Sequence, residues 1–149
     1  MKIKNPLYIL VLLAASLIFS KETVADQSKD IGDSVIHYNA VTTDFFDPQI
    51  AKIYGIKRSK NRALLTVTVL KKQMGIASQP VKAKIDATAV NLNNQITNLN
   101  MREIKDGGAI YYIADFPVTH KETFDFTMKV VPEGGESDTL TFRQTFFTD

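Results

Sequence analysis

The stretch Pro80–Val90, PVKAKIDATAV, constrains the fold most. Val81, Ala83, Ile85, Ala87 and Ala89 alternate with Lys82, Lys84, Asp86 and Thr88. A period of two sends apolar side chains to one face and charged ones to the other, which predicts a strand with one dry and one wet face. The same alternation recurs. In DSVIHYNAV, Ile36, Tyr38 and Ala40 share a face; in TFDFTMKVV, Phe124, Phe126, Met128 and Val130 point inward; in the closing DTLTFRQTFF, Leu140, Phe142 and Phe146 fall in register. RALLTVTVLKK (62–72) is rich in β-branched residues, and AIYYIADFPV is almost wholly apolar, as in a strand central to a sheet. Tyr111 and Tyr112 must then face opposite sides, one of them into the core.

Breaks between these runs carry turn chemistry. Asp106-Gly107-Gly108 predicts a hairpin, PEGGES a turn, and NLNN another, followed by a strand over about Gln95–Lys105. One helix is expected, roughly Pro48–Tyr54, with Asp47 as its cap, Pro48 at its first position and Gly55 at its stop; Ile50, Ile53 and Tyr54 share one side. The polar stretch 26–32 is expected to be disordered. The chain therefore reads as all-β: an antiparallel immunoglobulin-like β-sandwich of about seven strands with one short helix after the first strand, an open barrel being the alternative.

The N-terminus reads differently. Lys2 and Lys4 precede Leu7–Phe19, thirteen residues broken only by Ser16. A membrane-spanning helix needs about 20, whereas this length suits the apolar region of a cleavable signal peptide. Thr23-Val24-Ala25 offers small residues at the cleavage positions, with Ser20 as the other candidate. Residues 1–25 are expected to be a signal peptide and 26–149 a single domain, exported to the periplasm with no stable membrane anchor after cleavage. Removing Lys2, Lys4, Lys21 and Glu22 from eighteen basic and sixteen acidic residues leaves fifteen of each, so the mature chain is neutral and its charge gives no nucleic-acid signature. The absence of cysteine excludes disulfides, thiolate metal sites, a cysteine nucleophile and a lipoprotein anchor.

No catalytic motif, metal site or cofactor-binding pattern emerges. His37 and His120 are isolated, and Glu133, Glu136 and Asp138 suit a solvated hairpin tip better than a calcium site. One stretch stands apart. YGIKRSKNR places Lys57, Arg58, Lys60 and Arg62 within six residues, next to Asn61. A solvated loop that protects the neighbouring strand from aggregation explains this run. So does a contact for an anionic envelope component, with Arg58 or Arg62 offering a planar fork to phosphate or carboxylate.

VIHYNAVTTDFFDPQIAKIYGIKRSKNRALLTVTVLKK, QPVKAKIDATAVNL, REIKDGGAIYYIADFPV and the TFRQTFFTD ending resemble the domain of unknown function 4426 family of small secreted gammaproteobacterial proteins. The resemblance implies a signal peptide and one β-rich domain; it implies no activity, ligand or catalytic residue. The expected function is a non-catalytic binding or interaction module of the cell envelope with an unknown partner. Two other classes stay open. One is a chaperone-like protein accepting a client strand on a sheet edge, which the lysines of PVKAKIDATAV disfavour because lysines protect edges. The other is a hydrolase using carboxylates such as Asp44, Asp47 or Asp115.

Overall fold

The computed structural model describes residues 27–148; the expected signal peptide lies outside them. Among these residues, ten strands form two antiparallel sheets packed as a sandwich. They are β1 (Gln27–Ile31), β2 (Ser34–Thr42), β3 (Arg62–Lys71), β4 (Gln79–Pro80), β5 (Ala83–Asn91), β6 (Ile96–Leu99), β7 (Arg102–Asp106), β8 (Ala109–Pro117), β9 (Glu122–Pro132) and β10 (Asp138–Phe146). The larger sheet runs β1-β2-β3-β8-β7, with β4 also paired to β3, and the smaller runs β10-β9-β5-β6.

The expected alternation sets the core. Ile85, Ala87 and Ala89 of β5, Phe124, Phe126, Met128 and Val130 of β9, and Leu140 and Phe146 of β10 are buried against Ile36, Leu65, Val67 and Phe116 of the larger sheet. Phe116 meets Phe124, Phe126 and Phe146 edge-on, with ring centres 5.6 to 5.7 Å apart. Phe142 stacks on Phe126 at 4.5 Å. Tyr112 faces this core; its hydroxyl accepts the N–H of Ala83 at 2.8 Å and donates to Glu103 at 3.1 Å. Tyr111 faces outward, as strand geometry requires.

Three departures raise the strand count from seven to ten. The polar segment expected to be disordered forms β1 instead: Gln27–Ile31 pairs with Ser34–Tyr38 through a tight turn at Gly32, where φ is +51°. Its side chains are polar because β1 is an edge strand, and Ile31 alone is fully buried. The single strand expected over Gln95–Lys105 is two strands in different sheets, β6 on β5 and β7 on β8, with the chain crossing the sandwich at Asn100-Met101. β4 is a two-residue pairing too short to leave a periodic signal. β5 lies between β9 and β6, but β6 pairs only with Ala87–Val90, so the lysine-bearing first half of β5 is paired with β9 alone.

A second, smaller cluster lies on the outer face of the larger sheet. A 3-10 turn (Thr43–Phe45) leads into the one α-helix among the described residues, α1 (Pro48–Ile53), whose cap Asp47 accepts from the N–H groups of Gln49 and Ile50 at 2.8 and 3.4 Å. Gly55 leaves the helix with φ at +62°, a left-handed conformation that glycine adopts without strain. Ala51, Ile56, Leu64 and Ile113 are buried together under α1. This explains why Ala63-Leu64-Leu65 and Tyr112-Ile113-Ala114 break the alternation of burial. Where α1 covers the outer face, both faces of β3 and β8 are dry.

Candidate functional site

The space between α1 and the sheet is only partly filled. A groove of about 320 Å³ remains, lined by Phe46, Ile50 and Tyr54 from the helical segment, Ile56, Leu64 and Thr66 from the loop and β3, and Ile104, Tyr111 and Ile113 from β7 and β8. The strand register puts these residues side by side: Thr66 lies opposite Ile113 and Ile104 opposite Tyr111. Ile50 and Tyr111 are partly exposed and form its rim. Apart from Thr66 and the two tyrosines, every lining side chain is hydrocarbon. The volume falls at the small end of small-molecule sites, which are mostly apolar with a few polar groups fixing orientation.

The walls are braced. The hydroxyl of Tyr54 donates to Asp106 at the β7–β8 hairpin, and this carboxylate holds the Tyr54 hydroxyl above its usual pKa. Arg102 donates to the carbonyl of Tyr54 at the end of α1. Helix, β7 and hairpin are thus tied at one end of the groove. Of the three residues expected to share a side of the helix, Ile50 and Tyr54 line the groove, whereas Ile53 stays exposed.

The basic stretch lies beside this site and does not line it. Its cations point to separate tasks. Arg62 is taken by Asp115, its Nε donating at 2.9 Å. Arg58 donates to the carbonyl of Asp44 at 2.9 Å. Asn61 is held through its backbone, its N–H to Ser59 Oγ at 3.1 Å and its carbonyl to Val118 N–H at 3.0 Å. Lys57 and Lys60 are exposed, with no acidic partner within 4 Å among the described residues. The loop is anchored from inside by Thr43, which is fully buried. Its Oγ1 accepts the Ser59 N–H at 2.9 Å and lies 2.8 Å from the Lys57 carbonyl, to which it donates.

Two of the three candidate carboxylates have structural roles of their own. Asp47 caps α1 and Asp115 holds Arg62, while one Asp44 oxygen is buried with no hydrogen-bond partner among the described residues. His120 accepts the Thr148 N–H at 3.3 Å and packs its ring against Phe147, and Asp138 pairs with Lys29. Sequence reasoning missed Ile104 as a groove residue, because it lies on the second half of a strand read as one piece. It also missed Asn91, buried at the end of β5. Asn91 donates to Gln95 and Glu122 and accepts from the N–H groups of Asn93 and Gln95.

The family model described as domain of unknown function (DUF4426) matches residues 28–149. The chain belongs to this family. A solved DUF4426 family protein from Pseudomonas aeruginosa PAO1 is 32% identical, with a TM-score of 0.70 over 83% of this chain and 95% of that one. Two solved structures of FetP from uropathogenic Escherichia coli strain F11, one of them a copper-bound variant, share the fold at 10% identity. Their TM-scores are 0.58, over 81% and 84% of this DUF4426 chain and 93% and 97% of theirs. No curated protein matches the chain.

Proposed function

We propose that this DUF4426 protein is a non-catalytic binding module of the bacterial cell envelope that holds an uncharged apolar group of small-molecule size under α1. The single observation that carries this reading is the groove: about 320 Å³ bounded by hydrocarbon, with only the Thr66, Tyr54 and Tyr111 hydroxyls to orient what enters. Placement in the envelope rests on the N-terminal sequence, with residues 1–25 removed on export and the periplasm as destination. Its distant fold neighbour FetP was recombinantly expressed in a periplasm. The described residues contain no helix long and apolar enough to cross a membrane.

FetP also binds copper in one structure. In this chain no three His, Cys, Asp or Glu side chains among the described residues lie close enough to hold an ion together, and the groove offers carbon and hydroxyl surface. The reading therefore takes an apolar ligand. Within it, contact with an anionic envelope component falls to Lys57, Arg58 and Lys60, since Arg62 is engaged by Asp115.

The test is a titration with phenylnaphthylamine, an uncharged apolar fluorophore. Wild-type protein is expected to enhance its emission saturably at one site. Ile50→Asp, which sets a charge at the rim without opening the core, is expected to abolish the signal with little change in Tm. A wild-type protein that leaves the probe dark, or a variant that binds equally well, removes the reading.

A further inference from the structure

The strand register gathers four segments at one end of the sandwich. Thr42 pairs with Ala63, Arg62 with Pro117, Phe146 with Glu122, and Asn91 with Phe124. The β2–β3 connection (43–61), the β5–β6 turn (92–95), the β8–β9 turn (118–121) and residues 147–148 therefore all emerge on the same side. Each of three of these segments offers a large apolar side chain to solvent: Phe45 is 84% exposed, Leu92 68% and Phe147 65%. None of the three lines the groove.

The same end carries free positive charge. Lys57, Lys60 and Lys121 are exposed and have no acidic partner within 4 Å among the described residues. Arg58 is spent on a carbonyl, which leaves its charge uncompensated. Of the nearby acids, Asp47 caps the helix, Glu122 accepts from Thr119 and Asn91, and Asp44 has one oxygen buried without a hydrogen-bond partner among the described residues. The opposite end is built differently. There Lys29, Lys71 and Lys72 pair with Asp138, Asp33 and Asp30 at 2.7, 3.2 and 2.9 Å. That end also exposes two apolar side chains, Met74 and Ile76, and one lysine without an acidic partner within 4 Å among the described residues, Lys82. Among the described residues, three exposed lysines without an acidic partner and the exposed rings of Phe45 and Phe147 thus gather at one end of the sandwich.

We propose that this end docks the protein reversibly onto an anionic phospholipid surface, with Phe45, Leu92 and Phe147 entering the headgroup boundary and Lys57, Arg58, Lys60 and Lys121 lying against lipid phosphates. The chemistry is that of peripheral membrane attachment, in which shallow apolar insertion and attraction to anionic lipid add together. Docking rests on the envelope placement above and is independent of the groove, so probe binding under α1 and lipid binding at this end can fail separately. It gives the basic stretch its anionic partner and leaves the mouth of the groove on the flank.

The experiment is cosedimentation of the exported protein, its leader removal checked by intact mass, with vesicles of equal parts phosphatidylglycerol and phosphatidylcholine or of phosphatidylcholine alone. Binding is expected only to the anionic vesicles and is expected to fall with salt. Replacing Lys57, Lys60 and Lys121 together with serine is expected to weaken it by about a hundredfold, since each lysine at such a surface contributes roughly a tenfold factor or less. Phe45→Ser, Leu92→Ser and Phe147→Ser combined is expected to reduce it as well, while Met74→Ser at the opposite end leaves it unchanged. Should a combined variant melt early, Lys121→Glu, distant in sequence from the helix connection, gives the same reading alone. Absence of sedimentation, equal binding to both vesicle types, or charge and aromatic variants that bind like wild type would overturn the proposal.

Discussion

Thr43 and Ser59 are joined through a single buried hydroxyl: the Ser59 N–H donates to Thr43 Oγ1 at 2.9 Å, while the same oxygen lies 2.8 Å from the Lys57 carbonyl. The start and end of the connection carrying α1 and the basic stretch are tied together at this point. Thr43→Val keeps the shape and removes the hydroxyl, leaving the Ser59 N–H and the Lys57 carbonyl without it. The expected cost is about 1–3 kcal/mol, measured by chemical denaturation. Amide hydrogen exchange is expected to quicken over 55–61 and to stay unchanged in β9.

Phe126 is the centre of the aromatic cluster, with Phe116 edge-on at 5.6 Å and Phe142 stacked at 4.5 Å. Phe126→Ala is expected to cost about 3–5 kcal/mol through lost burial and the cavity left behind. Lys84→Ala, on the wet face of β5, is expected to change stability by less than about 0.5 kcal/mol. Urea midpoints of the two variants check both values, and equal effects would contradict the face assignment.

Glu122 carries a pH prediction. Burial acts to raise its pKa, but hydrogen bonds from Asn91 and from the backbone and hydroxyl of Thr119 outweigh it, and the net shift is downward. A carboxylate held below its unfolded pKa stabilises the fold above the ordinary glutamate range, and that contribution is lost as pH falls through this range and the lowered folded value. Glu122→Gln is therefore expected to be less stable than wild type at neutral pH. Its Tm is expected to fall less steeply on acidification, so that the two curves converge at the acid end.

The fold was legible in the sequence wherever one face of a strand is dry and the other wet. β5, β9 and β10 carry that alternation residue by residue, and the helix announces itself through Asp47, Pro48 and Gly55. Legibility ended where tertiary context decides. Nothing local says that Gln27–Ile31 pairs with β2, because an edge strand with polar side chains resembles a loop. Nothing local says that the chain changes sheets at Asn100-Met101 either, since both halves keep a strand-like pattern. The candidate site shows the same limit. The basic stretch is visible as composition, but the engagement of Arg62 by Asp115, 53 residues away, is not. The groove joins residues from Phe46 to Ile113 and has no sequence signature beyond the unbroken apolar runs at 63–65 and 109–114.

The central claim is that an apolar ligand enters between α1 and the outer face of the larger sheet. The most direct measurement is a map of backbone amide shifts in a two-dimensional NMR titration of the exported protein with phenylnaphthylamine. The account predicts saturable shifts confined to 46–56 in the helical segment and to Leu64, Thr66, Ile104, Tyr111 and Ile113, with Phe126 and Met128 in the sandwich core unmoved. Shifts scattered over the surface, centred in the core, or absent at saturating probe would contradict it.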